Sequence, residues 1–331
     1  MSDVKQAVFF GELLMRLATK GHQRFVQARE FEVAYTGAEA NAAVTLANLG
    51  LGAHVMSMLP DSEIGDACIN FIRQFGVQTD CVLRGGERLG TFYLETGASQ
   101  RPSKVIYDRA GSSFSRLGPG KVDWEAVFAG KDWFHWSGTA PALGEQMVET
   151  TLEACQTAKK LGLTVSCDLN YRSKLWRPKL AREVMTSLME WVDVLIGGQE
   201  DAELMLGVRA GGYEDAAVEL HRRFGLSYVA TTLREGDSAS DNGWACLLSD
   251  GSSCYLSRRY QVHIVDRVGA GDAFSGALIY GLLTSMDSQQ AVEFAAAASC
   301  LKHSIPGDFN QVSRQEVYAL MKGVEAGRIE R

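Results

Sequence analysis

Residues 266–278 read DRVGAGDAFSGAL, in which two glycines and an aspartate stand directly before a run of small and apolar residues. Glycines permit positive φ angles and close backbone approach, so successive N–H groups can point into one concavity. The helix predicted to begin here adds its positive dipole end, which suits phosphate oxygens. Asp272 is predicted to stay ionised there and could accept a proton. In the alternative, purely structural interpretation, Asp272 is the N-cap of the helix and the glycines form a turn.

Two other phosphate-binding patterns are absent from the sequence. Residues 269–274 read GAGDAF and lack the third glycine of GxGxxG, and GxxxxGK[ST] does not occur anywhere. The first absence argues against a nicotinamide-dependent dehydrogenase.

Composition excludes several classes of partner. The 331 residues include 33 basic and 40 acidic ones, a net charge of −7, which argues against a general nucleic-acid or acidic-membrane surface but leaves room for an anionic small molecule. No stretch approaches the ~18 apolar residues of a membrane span, and the N-terminus lacks the basic region of a signal peptide. The seven cysteines contain no CxxC pair, which favours reduced thiols in a cytoplasmic protein.

The elements that must position residues 266–278 alternate along the chain. Apolar runs of strand length (HVMSML, KDWFHWSG, LTVSCDLN, DVLIGG and SYVATTL) are separated by helical patterns. Strands that are apolar on both faces and alternate with helices predict an α/β fold, with a mostly parallel central sheet covered by helices on both faces. Asp168 and Asn170 fall at the carboxyl end of one such strand, where α/β proteins bind ligands.

Residues 22–35 and 90–109 depart from this pattern. Both stretches alternate polar and apolar residues with a period of two, which predicts a small antiparallel β lid inserted at about these positions into one domain spanning 1–331. Because exposed strand edges tend to pair, we expect a homodimer through the lid.

DRVGAGDAFSGAL resembles the DTxGAGDxFxGA signature of the ribokinase-like sugar kinases, the phosphofructokinase B family. The resemblance extends over nearly the whole chain, with GE at 11–12, TGAEAN at 36–41 and CDLNYR at 167–172. It implies a ribokinase-like fold that transfers phosphate from ATP, with Mg²⁺, to a sugar. It also implies an anion hole formed by the backbone of Gly269, Ala270 and Gly271, with Asp272 as the base.

The same resemblance implies where the sugar binds. The family's GGxxxN motif, which contacts sugar hydroxyls, corresponds to TGAEAN and implies Gly37 and Asn41, with Thr36 replacing the first glycine. From the residues alone, an asparagine in this alanine-rich helix could equally be a buried, satisfied amide.

The stretches YDRAGS (107–112), DLNYR and LKHSIPGDF (301–309) are similar to those of family members acting on 2-keto-3-deoxy sugar acids. This similarity implies that Tyr93, Tyr107, Arg109, Asn170 and Arg172 contact the substrate, and an arginine fork suits a carboxylate. Any single arginine of this group could instead be a solvated surface residue.

Nucleotide contacts are implied for the TTLREG segment at 231–236, namely Thr232, Arg234 and Gly236, together with Asn170 and the anion-hole glycines Gly269 and Gly271. The loop that follows, SASDNGW, flanks the nucleotide or is a plain surface loop.

Metal contacts are the least supported by the motifs. The family's NxxE motif is replaced here by Gly198-Gln199-Glu200-Asp201, so Asp201 or Glu200 is expected to hold Mg²⁺ through water, as Mg²⁺ keeps several waters. Many relatives bind K⁺ near the position of Asp266, which could also be a simple turn residue.

These observations predict an ATP-dependent kinase that phosphorylates the terminal hydroxyl of 2-keto-3-deoxygluconate. The paired arginines Arg109 and Arg172 favour an acid over the alternative of a fructokinase or other neutral-sugar kinase. A non-catalytic sugar- or nucleotide-binding protein on this fold is the other alternative, which the intact Asp272 opposes.

Overall fold

The computed structural model describes residues 4–236 and 240–323. The helices are α1 (Ala38–Asn48), α2 (Glu63–Arg73), α3 (Trp124–Phe128), α4 (Glu145–Lys160), α5 (Pro178–Leu188), α6 (Gln199–Leu206), α7 (Tyr213–Phe224), α8 (Ala270–Leu283), α9 (Ser288–Lys302) and α10 (Arg314–Met321). Within these described residues, none of the helices combines the length and apolarity that crossing a membrane requires.

The strands are β1 (Gln6–Phe10), β2 (Leu14–Ala18), β3 (Glu32–Thr36), β4 (Gly52–Leu59), β5 (Val82–Arg84), β6 (Gly90–Glu95), β7 (Lys104–Asp108), β8 (Trp133–Ser137), β9 (Thr164–Asp168), β10 (Val194–Ile196), β11 (Tyr228–Gly236), β12 (Asp241–Ser249), β13 (Cys254–Leu256) and β14 (Tyr260–His263). The large sheet has the order β13-β12-β11-β10-β9-β8-β1-β4-β5, with β14 also paired to β12. All pairs from β11 to β5 are parallel, and β12, β13 and β14 form an antiparallel edge.

Both faces of the large sheet are buried, as the uniformly apolar strands predict. In β1 the neighbouring side chains of Phe9 and Phe10 point to opposite faces and are both fully buried, each in a different core cluster. The predicted α/β fold with helices on both faces is therefore confirmed. Its parallel strands bring their carboxyl ends to one edge of the sheet.

A separate four-stranded sheet has the order β3-β2-β6-β7. Its outer pairs are antiparallel, as predicted, whereas the central pair β2–β6 is parallel. In the first stretch assigned to it, 22–35, the strand begins only at Glu32, and the ten residues before it form turns and loops. β2, just after β1, supplies the further strand.

Candidate active site

A cavity of about 1100 Å³ lies between the carboxyl ends of the central strands and the small sheet. The large sheet contributes Asp168 and Ile196, the last residues of β9 and β10, and the small sheet contributes Phe92 and Leu94. The cavity thus lies where an open α/β sheet binds its ligands. Of the residues implied by the sequence it is lined by Gly37, Asn41, Tyr107, Arg109, Asn170, Arg172, Glu200, Asp201, Thr232, Arg234, Gly269, Gly271 and Asp272.

Asp272 is not the N-cap of α8. The N-cap is Gly269, and Asp272 is the third residue of the helix, with its side chain at the cavity. Gly271 and Asp272 belong to the first turn, where the backbone N–H groups have no carbonyl partner within the helix. The structural interpretation of Asp272 as a cap is therefore wrong, and the helix start offers both N–H donors and a carboxylate to the cavity.

The three residues before Asp272 differ in what they can do. Gly269 has φ 85°, and a Cβ atom there would overlap the carbonyl oxygen of Asp308. Ala270 is buried and its N–H donates to the Arg267 carbonyl (3.3 Å), so it lies outside the cavity lining. A Cβ on Gly271 would meet only Arg234 Nη2, at 3.8 Å. Gly269 and Gly271 both line the cavity, but a Cβ would fit without a clash only at Gly271, whereas Gly269 is required by the turn itself.

Asp272 is oriented by Asn41. The Asn41 Nδ2 atom donates to Asp272 Oδ2 at 2.6 Å. Small residues allow this contact, because a Cβ on Gly276 of α8 would overlap the Ala42 carbonyl of α1. Asn41 is thus both a buried amide and a cavity residue, and its amide is held by the proposed base.

Burial raises the pKa of Asp272 to about 6, opposed mainly by the hydrogen bond from Asn41 and the charge of Arg172. The sequence predicted an ionised carboxylate at the start of the helix, and in the structure the loss of water outweighs the dipole and moves the pKa upward. The group is still mostly ionised at pH 7, and its pKa is closer to that of an effective base.

Thr36 connects Asn41 to a buried ionic cluster. Its hydroxyl lies 2.7 Å from Asn41 Oδ1 and 2.6 Å from Asp308 Oδ2. Asp308 is also ion-paired with Arg16, which contacts Asp266 Oδ2 at 2.8 Å. The threonine that replaces glycine in TGAEAN therefore adds a contact beneath the base. Arg16 and Asp308 were not singled out as site residues: no local motif marks Arg16, and the stretch LKHSIPGDF, which contains Asp308, assigns no role to that residue.

Arg109, which follows β7 and lines the cavity, is paired with a carboxylate. Its guanidinium forms a buried ion pair with Glu12 and lies 5.7 Å from the centroid of the Tyr107 ring. Burial raises the pKa of the neighbouring Glu39 to about 7. Glu12 and Glu39 also line the cavity, and each has one buried oxygen without a partner among the described residues.

Tyr93 does not face the cavity. Successive side chains of a strand point to opposite faces, and in β6 it is Phe92 and Leu94 that line the cavity. The Tyr93 ring lies instead on the outer face, 5.7 Å from the Phe31 ring. The two adjacent aromatics gave no signal for which of them points inward.

Arg172 and Asn170 follow β9. Asn170 has φ 41°, and its N–H donates to Asp168 Oδ1 at 3.1 Å. This turn directs the chain so that Arg172 reaches the cavity, where it forms no ion pair with any residue the structure describes. A guanidinium without a carboxylate partner is suited to an anionic ligand.

Carboxylates gather at the same edge of the sheet. Burial raises the pKa of Asp168 to about 8, with the charges of Asp272 and Asp201 adding to the shift. Burial likewise raises the pKa of Asp201, which lies in the first turn of α6. The negative charges of these carboxylates repel one another, and a divalent cation bound between them would remove that repulsion. Such a cation takes oxygen ligands and would lower the pKa values of both groups.

The segment 231–236, predicted to bind the nucleotide, lies beside the start of α8. Thr232 and Arg234 line the cavity, with the Arg234 guanidinium 5.2 Å from the centroid of a Trp244 ring. Burial and the nearby charge of Arg267 lower the pKa of Arg234. Gly236 ends β11, and residues 237–239 of the adjoining loop lie outside the described residues.

The carboxylate and carbonyl oxygens of Asp266 do not fit a potassium site, because they already accept hydrogen bonds. Its carboxylate accepts from Arg16 and from the N–H groups of Val268 (3.0 Å) and Gly307 (3.1 Å). Its carbonyl accepts from the Lys302 Nζ atom at 3.2 Å. Cationic side chains already satisfy the oxygens that would bind K⁺.

The chain is similar in sequence and in structure to known carbohydrate kinases. Residues 4–311 match the pfkB family of carbohydrate kinases. The chain is 36% identical over 322 residues to a 2-dehydro-3-deoxygalactonokinase of Haloferax volcanii, covering 97% of this chain and 98% of the relative. It is 30% identical to a 2-dehydro-3-deoxygluconokinase of Thermoproteus tenax, covering 96% and 94%. The crystal structure of the 2-dehydro-3-deoxygluconokinase of Thermotoga maritima superimposes with a TM-score of 0.94 at 48% identity, covering 96% of this chain and 100% of that one. The chain belongs to the pfkB family of carbohydrate kinases.

Proposed function

We propose that this carbohydrate kinase transfers the γ-phosphoryl group of ATP to the terminal hydroxyl of 2-keto-3-deoxygluconate. The observation that carries the proposal is the start of α8, where Asp272, held by Asn41 at 2.6 Å, faces a cavity that also holds Arg172. A carboxylate, N–H donors and a guanidinium that has no ion-pair partner among the described residues therefore line the same cavity.

Each group has a role in this reaction. Asp272 accepts the proton of the terminal hydroxyl, whose oxygen bonds to the γ-phosphorus while the bond from that phosphorus to the β–γ bridging oxygen breaks. The N–H groups of Gly271 and Asp272 stabilise the charge on the transferring group. Because the transition state of phosphoryl transfer is loose, positioning contributes more than deprotonation.

We assign the nucleotide and the metal to groups beside the start of α8. Thr232 and Arg234 would bind ATP, and Arg234 lies close to Gly271. Asp168, Asp201 and Glu200 would hold Mg²⁺, partly through water, and the ion would neutralise charge on the phosphates.

Arg172 and Arg109 are proposed to bind the substrate carboxylate. The names of the relatives support an acid, since 2-dehydro-3-deoxygluconate is another name for the 2-keto-3-deoxy acid. They differ in the sugar's configuration, because one relative is named for the galactonate.

An assay of ADP release tests the substrate. The wild-type protein is offered 2-keto-3-deoxygluconate, 2-keto-3-deoxygalactonate, fructose and ribose. Arg172→Ala should raise KM for the acids by roughly ten- to a hundredfold and leave neutral sugars little affected, as loss of a charged contact costs ~1.5–3 kcal/mol. Arg182→Ala is the control, since Arg182 contacts the Glu203 carbonyl on the surface. Equal losses on acids and neutral sugars would remove the carboxylate assignment.

One observation favours a neutral sugar as the second candidate. The ion pair with Glu12 neutralises Arg109, so that end of the cavity could instead bind hydroxyls. Higher kcat/KM for fructose or ribose than for either acid in the same assay would select this candidate.

We also propose a homodimer through the small sheet. Register places Val33, Leu17, Tyr93 and Ile106 in one row across its four strands, on the face away from the cavity. Val33 and Ile106 are more than half exposed.

We also propose a cytoplasmic location, which is supported by seven cysteines that all carry free thiols.

A further inference from the structure

Lys302 is a lysine with no access to solvent. It is the last residue of α9, in a helix otherwise rich in alanine, and its side chain is fully buried. A buried ammonium is costly unless polar groups replace its water. Its Nζ atom donates to two backbone carbonyls, those of Asp266 and Ile305, each at 3.2 Å.

These two carbonyls belong to the segments that support the anion hole. Asp266 begins the turn that leads through Gly269 to the first turn of α8. Ile305 precedes Gly307, whose N–H donates back to the Asp266 carboxylate. The ammonium therefore joins the loop before α8 to the loop after α9, directly behind the N–H groups proposed to bind phosphate.

The charges around Lys302 balance without an added ion. Arg16 is ion-paired with both Asp266 and Asp308, so these two carboxylates are matched by the charges of Arg16 and Lys302. Burial lowers the pKa of Lys302, and the charges of Asp266 and Asp308 oppose that shift. A further monovalent cation here would add an unbalanced buried charge.

We propose that the ammonium of Lys302 acts as a built-in monovalent cation, which makes the kinase independent of K⁺. Backbone carbonyls are ligands for K⁺, and a lysine ammonium is a compact charge of the same sign that donates to the same oxygens. Lys302 is thus a positioning residue: it acts through the Asp266 loop and does not touch the substrate. The inference rests on the proposed function only in the tests that measure turnover.

The first test compares cations on the wild-type protein. Turnover is measured in KCl and in tetramethylammonium chloride at equal ionic strength, because the larger cation cannot enter a carbonyl site. Equal turnover in both salts is expected. Activation by K⁺ of more than about twofold would overturn the proposal.

The second test removes the ammonium and leaves room for an ion. Lys302→Ala in tetramethylammonium should lose roughly ten- to a hundredfold in kcat, the size of a charged contact, and K⁺ or NH₄⁺ should restore much of it. The control Lys159→Met removes a lysine paired with Asp193 outside the cavity and should show no cation response. Full activity of the folded Lys302→Ala protein, or a loss that neither cation restores, would contradict the proposal.

Two readouts do not depend on catalysis. The melting temperature of Lys302→Ala should rise in KCl relative to tetramethylammonium chloride, as binding to the folded state stabilises it, whereas that of the wild type should not. Crystals of the wild type soaked in Tl⁺ should show no anomalous peak at the carbonyls of Asp266 and Ile305. A peak there would refute the inference even if Lys302→Ala failed to fold or the sugar were misassigned.

Discussion

At Asp272, two opposing effects set the affinity for a proton. Burial raises the pKa of the carboxyl to about 6, while the hydrogen bond from Asn41 and the charge of Arg172 lower it. The base must be ionised to accept a proton, so activity is lost as the pH falls through this value. We expect kcat/KM to rise with pH up to about 6 and then level off. A flat profile between pH 5 and 7 would separate the reaction from this carboxyl.

Substitution of Asn41 tests the same balance. Asn41→Leu keeps the branched shape of the side chain but removes a hydrogen bond that favours the ionised form, so the acidic limb of the pH profile should move up by about one pH unit. Asn48→Leu is the control, because Asn48 lies on the same helix but bonds to the Asn310 carbonyl. It should lower stability and leave the pH profile in place.

Residue-level prediction from sequence reached furthest where a motif is local. It brought Gly269, Gly271 and Asp272 of the GAGD segment to one cavity, although Ala270 lies outside its lining, and the roles of anion hole and base stay predictions. It failed where contacts join distant parts of the chain: Lys302 meets the carbonyl of Asp266 across 36 residues. The prediction for Tyr93 failed for a different reason: Phe92 and Tyr93 are adjacent aromatic residues, and the sequence does not show which of the two side chains points into the cavity.

At the scale of elements, the start of α8 places two glycines under different constraints. Gly269→Ala should lower the free energy of unfolding by more than about 1 kcal/mol, because φ 85° is unfavourable for alanine and its Cβ would overlap the Asp308 carbonyl. Gly271→Ala should keep or slightly raise stability, as alanine favours a helix, while its methyl group in the cavity lowers kcat/KM for ATP. Chemical denaturation and steady-state kinetics separate the two outcomes. Equal stability of both variants would show that the turn at Gly269 is not strained.

At the scale of the molecule, the large sheet was predictable because its strands β4, β8, β9 and β10 are apolar and each is followed by a helix. The small sheet was harder to predict, since β2 follows β1 after only three residues and no helix marks the change of sheet.

The dimer proposal rests on the row of side chains on the outer face of the small sheet, Val33, Leu17, Tyr93 and Ile106. Ile106→Lys should give a monomer by light scattering at micromolar concentration, because it places a charge in an apolar contact. Ile64→Lys, an exposed isoleucine on α2, should leave the mass unchanged, and a wild-type monomer would remove the proposal.

The central claim is that Asp272 is the base of a sugar kinase, and Asp272→Asn measures it most directly. Asparagine keeps the shape of the side chain and can still accept the hydrogen bond from Asn41, but it cannot take a proton. We predict that turnover falls by roughly a hundred- to ten-thousandfold, with the melting temperature and the affinities for ATP and sugar little changed. Full turnover in a folded Asp272→Asn protein would contradict the mechanism.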